Sequence, residues 1–235
     1  MDTLEQNKTE DYNTPSPWKS LAAGFAAALI PLIVFAIDKI WHFHLYQYTL
    51  LPRNLSGLRG IIFTPLIHGS WGHLMSNFTA IFALVALLHH HFRPFFYQLL
   101  IFIWVASGLW AWGFARPNYH LGASGIIYGL ASFGFTSGIL SGNLRLRSLS
   151  LLIAFLYGGF VWGIWPLPFN ELISWELHLT GLLSGLGGAY IFKNQLPKAE
   201  SASWDEEDEE MEFNEDYSDD SVDPNDEKEY PEKYS

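Results

Sequence analysis

The sequence predicts an all-α membrane protein: six transmembrane helices in one bundle, followed by an acidic, disordered C-terminal tail. Two observations predict it. Six stretches are each long and apolar enough to cross a bilayer, whose core of about 30 Å needs roughly 20 apolar residues per helix. The charge is also split along the chain. Of the net −11, residues 198–235 carry −14, from seventeen acidic residues against three lysines, and the preceding 197 residues carry +3. The acidic balance therefore belongs to the tail and describes no substrate site.

The six predicted spans are residues 18–37, 69–91, 95–115, 122–141, 147–165 and 175–193. The third, FFYQLLIFIWVASGLWAWGFA, is uncharged throughout. The fourth and sixth are short and glycine-rich, with pairs at four-residue spacing (Gly125 and Gly129, Gly138 and Gly142, Gly181 and Gly185). Such spacing lets helix backbones approach closely in lipid, so both spans are expected inside the bundle. Several of the ten tryptophans stand near span ends, as interfacial anchors do. The longest connection, residues 40–63, holds Pro52, Asn54, Ser56 and Gly57, which mark turns; a structured loop at the membrane surface is expected.

With the N-terminus inside, the cytoplasmic segments hold Lys8, Lys19, Arg93, Arg145, Arg147, Lys193 and Lys198, and the external ones hold Lys39, Arg53, Arg59 and Arg116. This bias predicts an integral, multi-pass protein of the cell (inner) membrane with both termini cytoplasmic. The chain divides into a short N-terminal segment (1–17), the helical body (18–193) and the tail (194–235). The tail has too few apolar side chains to offset ordering entropy and reads as solvated, although Trp204, Phe213, Tyr217 and Tyr230 leave room for a cytoplasmic partner. The first apolar run is long and lacks a small-x-small exit, so no cleavable signal is read there.

The sequence has no cysteine, which excludes a thiol nucleophile, a disulfide framework and a thiolate-bound metal. Polar groups inside spans are costly and are functional candidates by default. Ser124 begins the fourth span in HLGASGIIYGL. His73 and Asn77 lie at i and i+4 on one face of the second. His178 is the histidine of the sixth. Alone, each has a plain structural reading: a serine bonded to its own backbone, a His/Asn pair joining helices, an interfacial histidine. Together they form a set. A serine is a nucleophile only if a base takes its proton. Ser124 and His178 both come early in glycine-rich spans that run in the same direction, so they reach similar depth, as a Ser-His dyad. Glu176, two residues from His178, points elsewhere and reads as an interfacial acid favoured by the helix dipole. The Ser124 N–H, His73 and Asn77 are candidate donors to an oxyanion. His89, His90 and His91 project in three directions and make a poor ligand set; no metal is expected there, and His42 and His44 read as interfacial.

Three motifs carry a family resemblance: Thr64-Pro-Leu-Ile-His68-Gly-Ser-Trp-Gly-His73-Leu-Met-Ser-Asn77, then Gly122-Ala-Ser124-Gly125-Ile-Ile-Tyr128-Gly129, then Ile173-Ser-Trp-Glu-Leu-His178-Leu-Thr-Gly181-Leu-Leu-Ser-Gly185. In this order, on the second, fourth and sixth spans, they resemble the rhomboid intramembrane serine proteases over residues 18–193. The resemblance implies a rhomboid-like bundle acting as a serine endopeptidase that cuts single-span membrane proteins within or beside their transmembrane segment. It implies Ser124 as nucleophile, His178 as base, and His73, Asn77 and the Ser124 N–H as oxyanion hole. Tyr128 would pack on the histidine. Gly122 would allow the tight entry to the fourth helix, Gly181 and Gly185 the close packing of the sixth, and Gly125, after the serine, the close approach of the base and the scissile carbonyl. His68 would bind water or support the loop. Substrate would enter laterally past the fifth helix, with residues 162–169 (WGIWPLPF) at the outer end of that gate. No cofactor and no nucleic acid are implied; the partners are transmembrane substrates and the bilayer. Members often carry a Trp-Arg pair in the first external loop, where this chain has Leu58-Arg59. Two other classes fit a multi-span chain: an inactive rhomboid-like adaptor, which usually lacks the Ser or the His, and a small transporter, which would show paired charges or an internal repeat.

Overall fold

In a computed structural model, residues 16–166 and 174–198 are described. Six long helices carry the fold: α1 (Pro17–Trp41), α2 (Trp71–Phe92), α3 (Phe96–Phe114), α4 (Ser124–Ser141), α5 (Leu144–Tyr157) and α6 (Trp175–Ile191). Among the described residues there is no β-strand, and the expected all-α architecture is the one observed. The tail from residue 199, the N-terminal segment to residue 15 and residues 167–169 of the expected gate lie outside the described residues.

Local chemistry sets most boundaries. Pro17 opens α1, where its missing N–H is not needed, and His42 closes the helix in the left-handed region with its N–H on the Asp38 carbonyl. Ser70 caps α2 by accepting from the His73 N–H. Asn143 caps α5 through the N–H groups of Arg145 and Leu146, and Ser174 caps α6 through that of Leu177. The fifth span is not one α-helix: α5 stops at Tyr157 and continues as a 3-10 segment, Gly158–Ile164.

Packing follows the small residues. The buried face of α1 is Ser20, Gly24, Ala28, Pro31 and Phe35, a stripe at helical spacing. It lies on α2 so closely that a Cβ at Gly24 would stand 2.5 Å from the Phe82 carbonyl oxygen. Helix α4 is central, with twelve of its eighteen residues buried. Helix α6 is not enclosed as expected. It buries Leu177, Thr180, Gly181, Ser184, Gly185 and Gly188 against its neighbours and exposes Leu183, Leu186, Tyr190 and Ile191 on the other side. Its small residues form one seam, and the outward positions are the large apolar ones that lipid accepts. Toward the α5 end of α4 the core is aromatic: Phe92, Phe95 and Phe133 are fully buried, and Phe95 stacks on Phe192 at 5.2 Å.

Between α1 and α2 the chain is ordered by 3-10 turns (Leu45–Tyr48, Leu55–Arg59, Thr64–Leu66) and a helical turn (Gly60–Phe63). Helix α3 holds this loop: Trp104 donates to the Ile61 carbonyl and Trp112 to that of Asn54, both at 2.9 Å. Arg53 returns donors to the carbonyls of Gly113 and Ala115. Arg59 bonds the Gln47 carbonyl and lies over the Tyr48 ring. The loop that lacks a Trp-Arg pair is thus anchored by tryptophans of another helix.

Candidate active site

Helix α4 begins at Ser124 because the preceding turn cannot be helical. Gly122 has φ of +105°, a conformation that a side chain rarely adopts, and its N–H bonds the Thr64 carbonyl at 3.0 Å. A Cβ there would also meet the His73 ring at 2.5 Å and the Asn77 amide nitrogen at 3.4 Å. Close approach and backbone conformation both demand glycine. The side chains of His73 and Asn77 thus press on the backbone two residues before Ser124.

The α4–α6 seam brings the other partner in. A Cβ at Gly181 would lie 2.1 Å from the Gly125 carbonyl oxygen, and one at Gly185 would lie 2.0 Å from that of Gly129. Ser132 ties the seam with a bond to the Leu182 carbonyl at 2.9 Å. Tyr128, one helical turn after Ser124, stacks face to face on His178, with centroids 4.2 Å apart and planes 10° from parallel. The four-residue offset sets Ser124 on the same face of α4 as that ring. Among the described residues no hydrogen bond joins the Ser124 hydroxyl to His178. Catalytic bonds are often long without substrate and tighten on binding.

His178 is oriented from a quarter with no sequence signal. Its Nδ1–H donates to the backbone carbonyl of Gly163 at 2.8 Å. A carbonyl can only accept, so the proton sits on Nδ1 and Nε2 is left as the basic nitrogen. The Tyr128 hydroxyl donates to the Phe160 carbonyl at 2.8 Å, and the Phe160 ring stacks on Tyr128.

Asn77 stands between two histidines. Its amide nitrogen donates to His68 Nε2 at 2.8 Å and to His73 Nε2 at 3.2 Å. Donation to a developing oxyanion therefore requires one of these bonds to exchange. His68, in the loop before α2, is buried, and burial next to His73 lowers its pKa to about 4, so it is neutral at physiological pH.

A further network went unread in the sequence. Glu176 is not merely interfacial: it is buried and receives the guanidinium and the backbone N–H of Arg116. His120 donates from Nε2 to the Arg116 carbonyl at 2.9 Å and accepts at Nδ1 from the Ser174 hydroxyl at 2.6 Å. It thereby joins the turn before Ser124 to the cap of the helix bearing His178. His120 opens the serine motif; nothing local, however, predicts that Arg116 pairs with Glu176 across 60 positions. Toward the opposite ends of the helices, His89 bonds Ser20 and Tyr97, and His91 bonds the Leu87 carbonyl, so these rings do serve different partners.

The profile of the rhomboid domain matches residues 56–195. The chain belongs to the rhomboid family. This rhomboid is 31% identical over 174 residues to uncharacterized proteins of Mycobacterium tuberculosis and Mycobacterium bovis, covering 71% of this chain and 72% of each relative. An uncharacterized protein of Mycobacterium leprae is 29% identical over 172 residues, covering 68% of this chain and 66% of that one. The rhomboid domain spans the site from the loop before α2 to the end of α6. With its long apolar helices, it makes the protein an integral, multi-pass membrane protein.

Proposed function

We propose that this rhomboid is an intramembrane serine endopeptidase that cleaves single-span membrane proteins within or beside their transmembrane segment. The observation that carries the reading is the His178 ring, stacked on Tyr128 one turn from Ser124 and tied at Nδ1 so that Nε2 is the free base. Family membership supports it.

In the proposed reaction His178 Nε2 takes the Ser124 hydroxyl proton as Oγ attacks the scissile carbonyl. The oxyanion is met by the Ser124 N–H, at the positive end of α4, and by His73 and Asn77. His178 then gives its proton to the departing amine. A water molecule, activated by the same nitrogen, releases the acyl group and restores the serine. The topology proposed with this reading has both termini cytoplasmic, the α1–α2 loop external, and the body at 18–193 between the segments 1–17 and 194–235.

The test is incubation of purified protein in detergent with single-span reporters, beside Ser124→Ala. Cleavage by the wild type and none by the variant is expected, together with fluorophosphonate labelling of Ser124 that is lost in His178→Ala. Equal cleavage by Ser124→Ala sinks the mechanism, and an unlabelled wild type points instead to a protein that binds membrane segments without cutting them.

A further inference from the structure

Among the described residues no carboxylate bonds the proposed base: Glu176 is committed to Arg116. The end of the fifth span supplies another acceptor. The 3-10 segment Gly158–Ile164 gives its Phe160 carbonyl to Tyr128 and its Gly163 carbonyl to His178, each at 2.8 Å, and adds the Phe160 ring to a stack of three, Phe160 on Tyr128 on His178. We infer that Gly163 is the positioning residue of the base, its backbone carbonyl holding His178 in the Nδ1–H tautomer as the third member of the catalytic unit. The inference rests on the protease reading for His178.

The residue type follows from space. A Cβ at Gly163 would lie 2.1 Å from the Tyr128 hydroxyl oxygen and 3.0 Å from His178 Nδ1, so glycine alone lets the carbonyl come this near the ring. Gly158 and Gly159, in the same segment, have open space at the Cβ position, so the crowding belongs to position 163. A backbone acceptor suits this place, since it bears no full charge to desolvate yet fixes the tautomer as a carboxylate would. The proton taken from Ser124 then arrives at Nε2 while Nδ1–H stays on the carbonyl, and nothing else need move.

The experiment uses full-length protein in detergent, labelled with 15N-histidine, with His178 assigned by its loss in His178→Ala. Wild type should show a protonated Nδ1 and an unprotonated Nε2. Gly163→Ala should disturb this tautomer and lower kcat on a reporter by about 100-fold, the scale of an ångström misplacement, with KM little changed. Gly187→Ala on α6, where a Cβ has open space, should match wild type in both readouts. An unprotonated Nδ1 in wild type overturns the inference. So does Gly163→Ala with wild-type kcat, or with lowered kcat and an unchanged tautomer, since Gly163 would then be only a spacer. Should Gly163→Ala not fold, the wild-type tautomer decides. A wild type that neither cleaves nor labels at Ser124 defeats the protease reading instead, and the tautomer still decides whether the contact exists.

Discussion

At the scale of single residues, the proposed dyad on α4 and α6 should act as a unit, and substitutions should show it. Ser124→Ala and His178→Ala are each expected to abolish reporter cleavage, and the double variant to be no worse than either, because proton transfer and attack are one event. Independent, multiplying losses in a cleavage assay would contradict a dyad. Asn77→Ala should lower turnover by roughly 10- to 1000-fold, the range of a lost oxyanion donor. Since Asn77 also bonds His68 and His73, some stability should go with it; a fall in melting temperature with unchanged kcat would make Asn77 structural only. His68 gives a pH signature. Its folded pKa, about 4, is below the ordinary 6.5, so its contribution is complete above 6.5 and is lost as pH falls toward 4. The melting temperature should decline across that window, and less steeply in His68→Gln, which can still accept from Asn77. Equal slopes would remove His68 as the cause.

At the scale of elements, the α4–α6 seam decides whether the dyad exists. Gly181 and Gly185 face the Gly125 and Gly129 carbonyls with no room for a Cβ. Gly185→Val should push α6 from α4, at a cost of about 1–3 kcal/mol in stability, as overpacking does. It should also lower the rate on the order of 100-fold, by moving His178 from Ser124. Both are read in one preparation by a thermal melt and a cleavage assay, and wild-type values in both would mean that the seam is looser than described. The spacing of these glycines was legible because small residues four apart leave a groove along a helix. That α6 would expose its other face was less so. Leu183, Leu186 and Tyr190 are as apolar as core residues, and in lipid apolarity does not separate inside from outside.

For the molecule as a whole, the question is which part performs the chemistry. The proposed machinery lies between residues 64 and 178. The chain up to Lys198 keeps Leu196 buried and the Lys198 carbonyl on the Asn143 amide. Truncation after Lys198 removes fifteen negative charges net of two lysines, a stretch that an anionic inner leaflet would repel if it is cytoplasmic. The truncated protein should keep full cleavage activity in detergent. Side-by-side rates decide it: a large loss at unchanged melting temperature would make the tail part of the catalytic apparatus.

Hydropathy and motif spacing alone determined the helix count and the family, and they nominate the set Ser124, His178, His73, Asn77 and Tyr128. Span length is a property of single segments, and glycine or histidine at fixed spacing marks a helix face before any partner is known. Only the tertiary structure decided what orients that set. The Gly163 carbonyl on His178, the Phe160 carbonyl on Tyr128, the His120 bridge to Ser174 and the Arg116–Glu176 pair all join positions 15 to 60 residues apart. Two of the four run through backbone carbonyls. Every residue carries that acceptor, so no residue type in the sequence can signal which one a folded chain will present to a histidine.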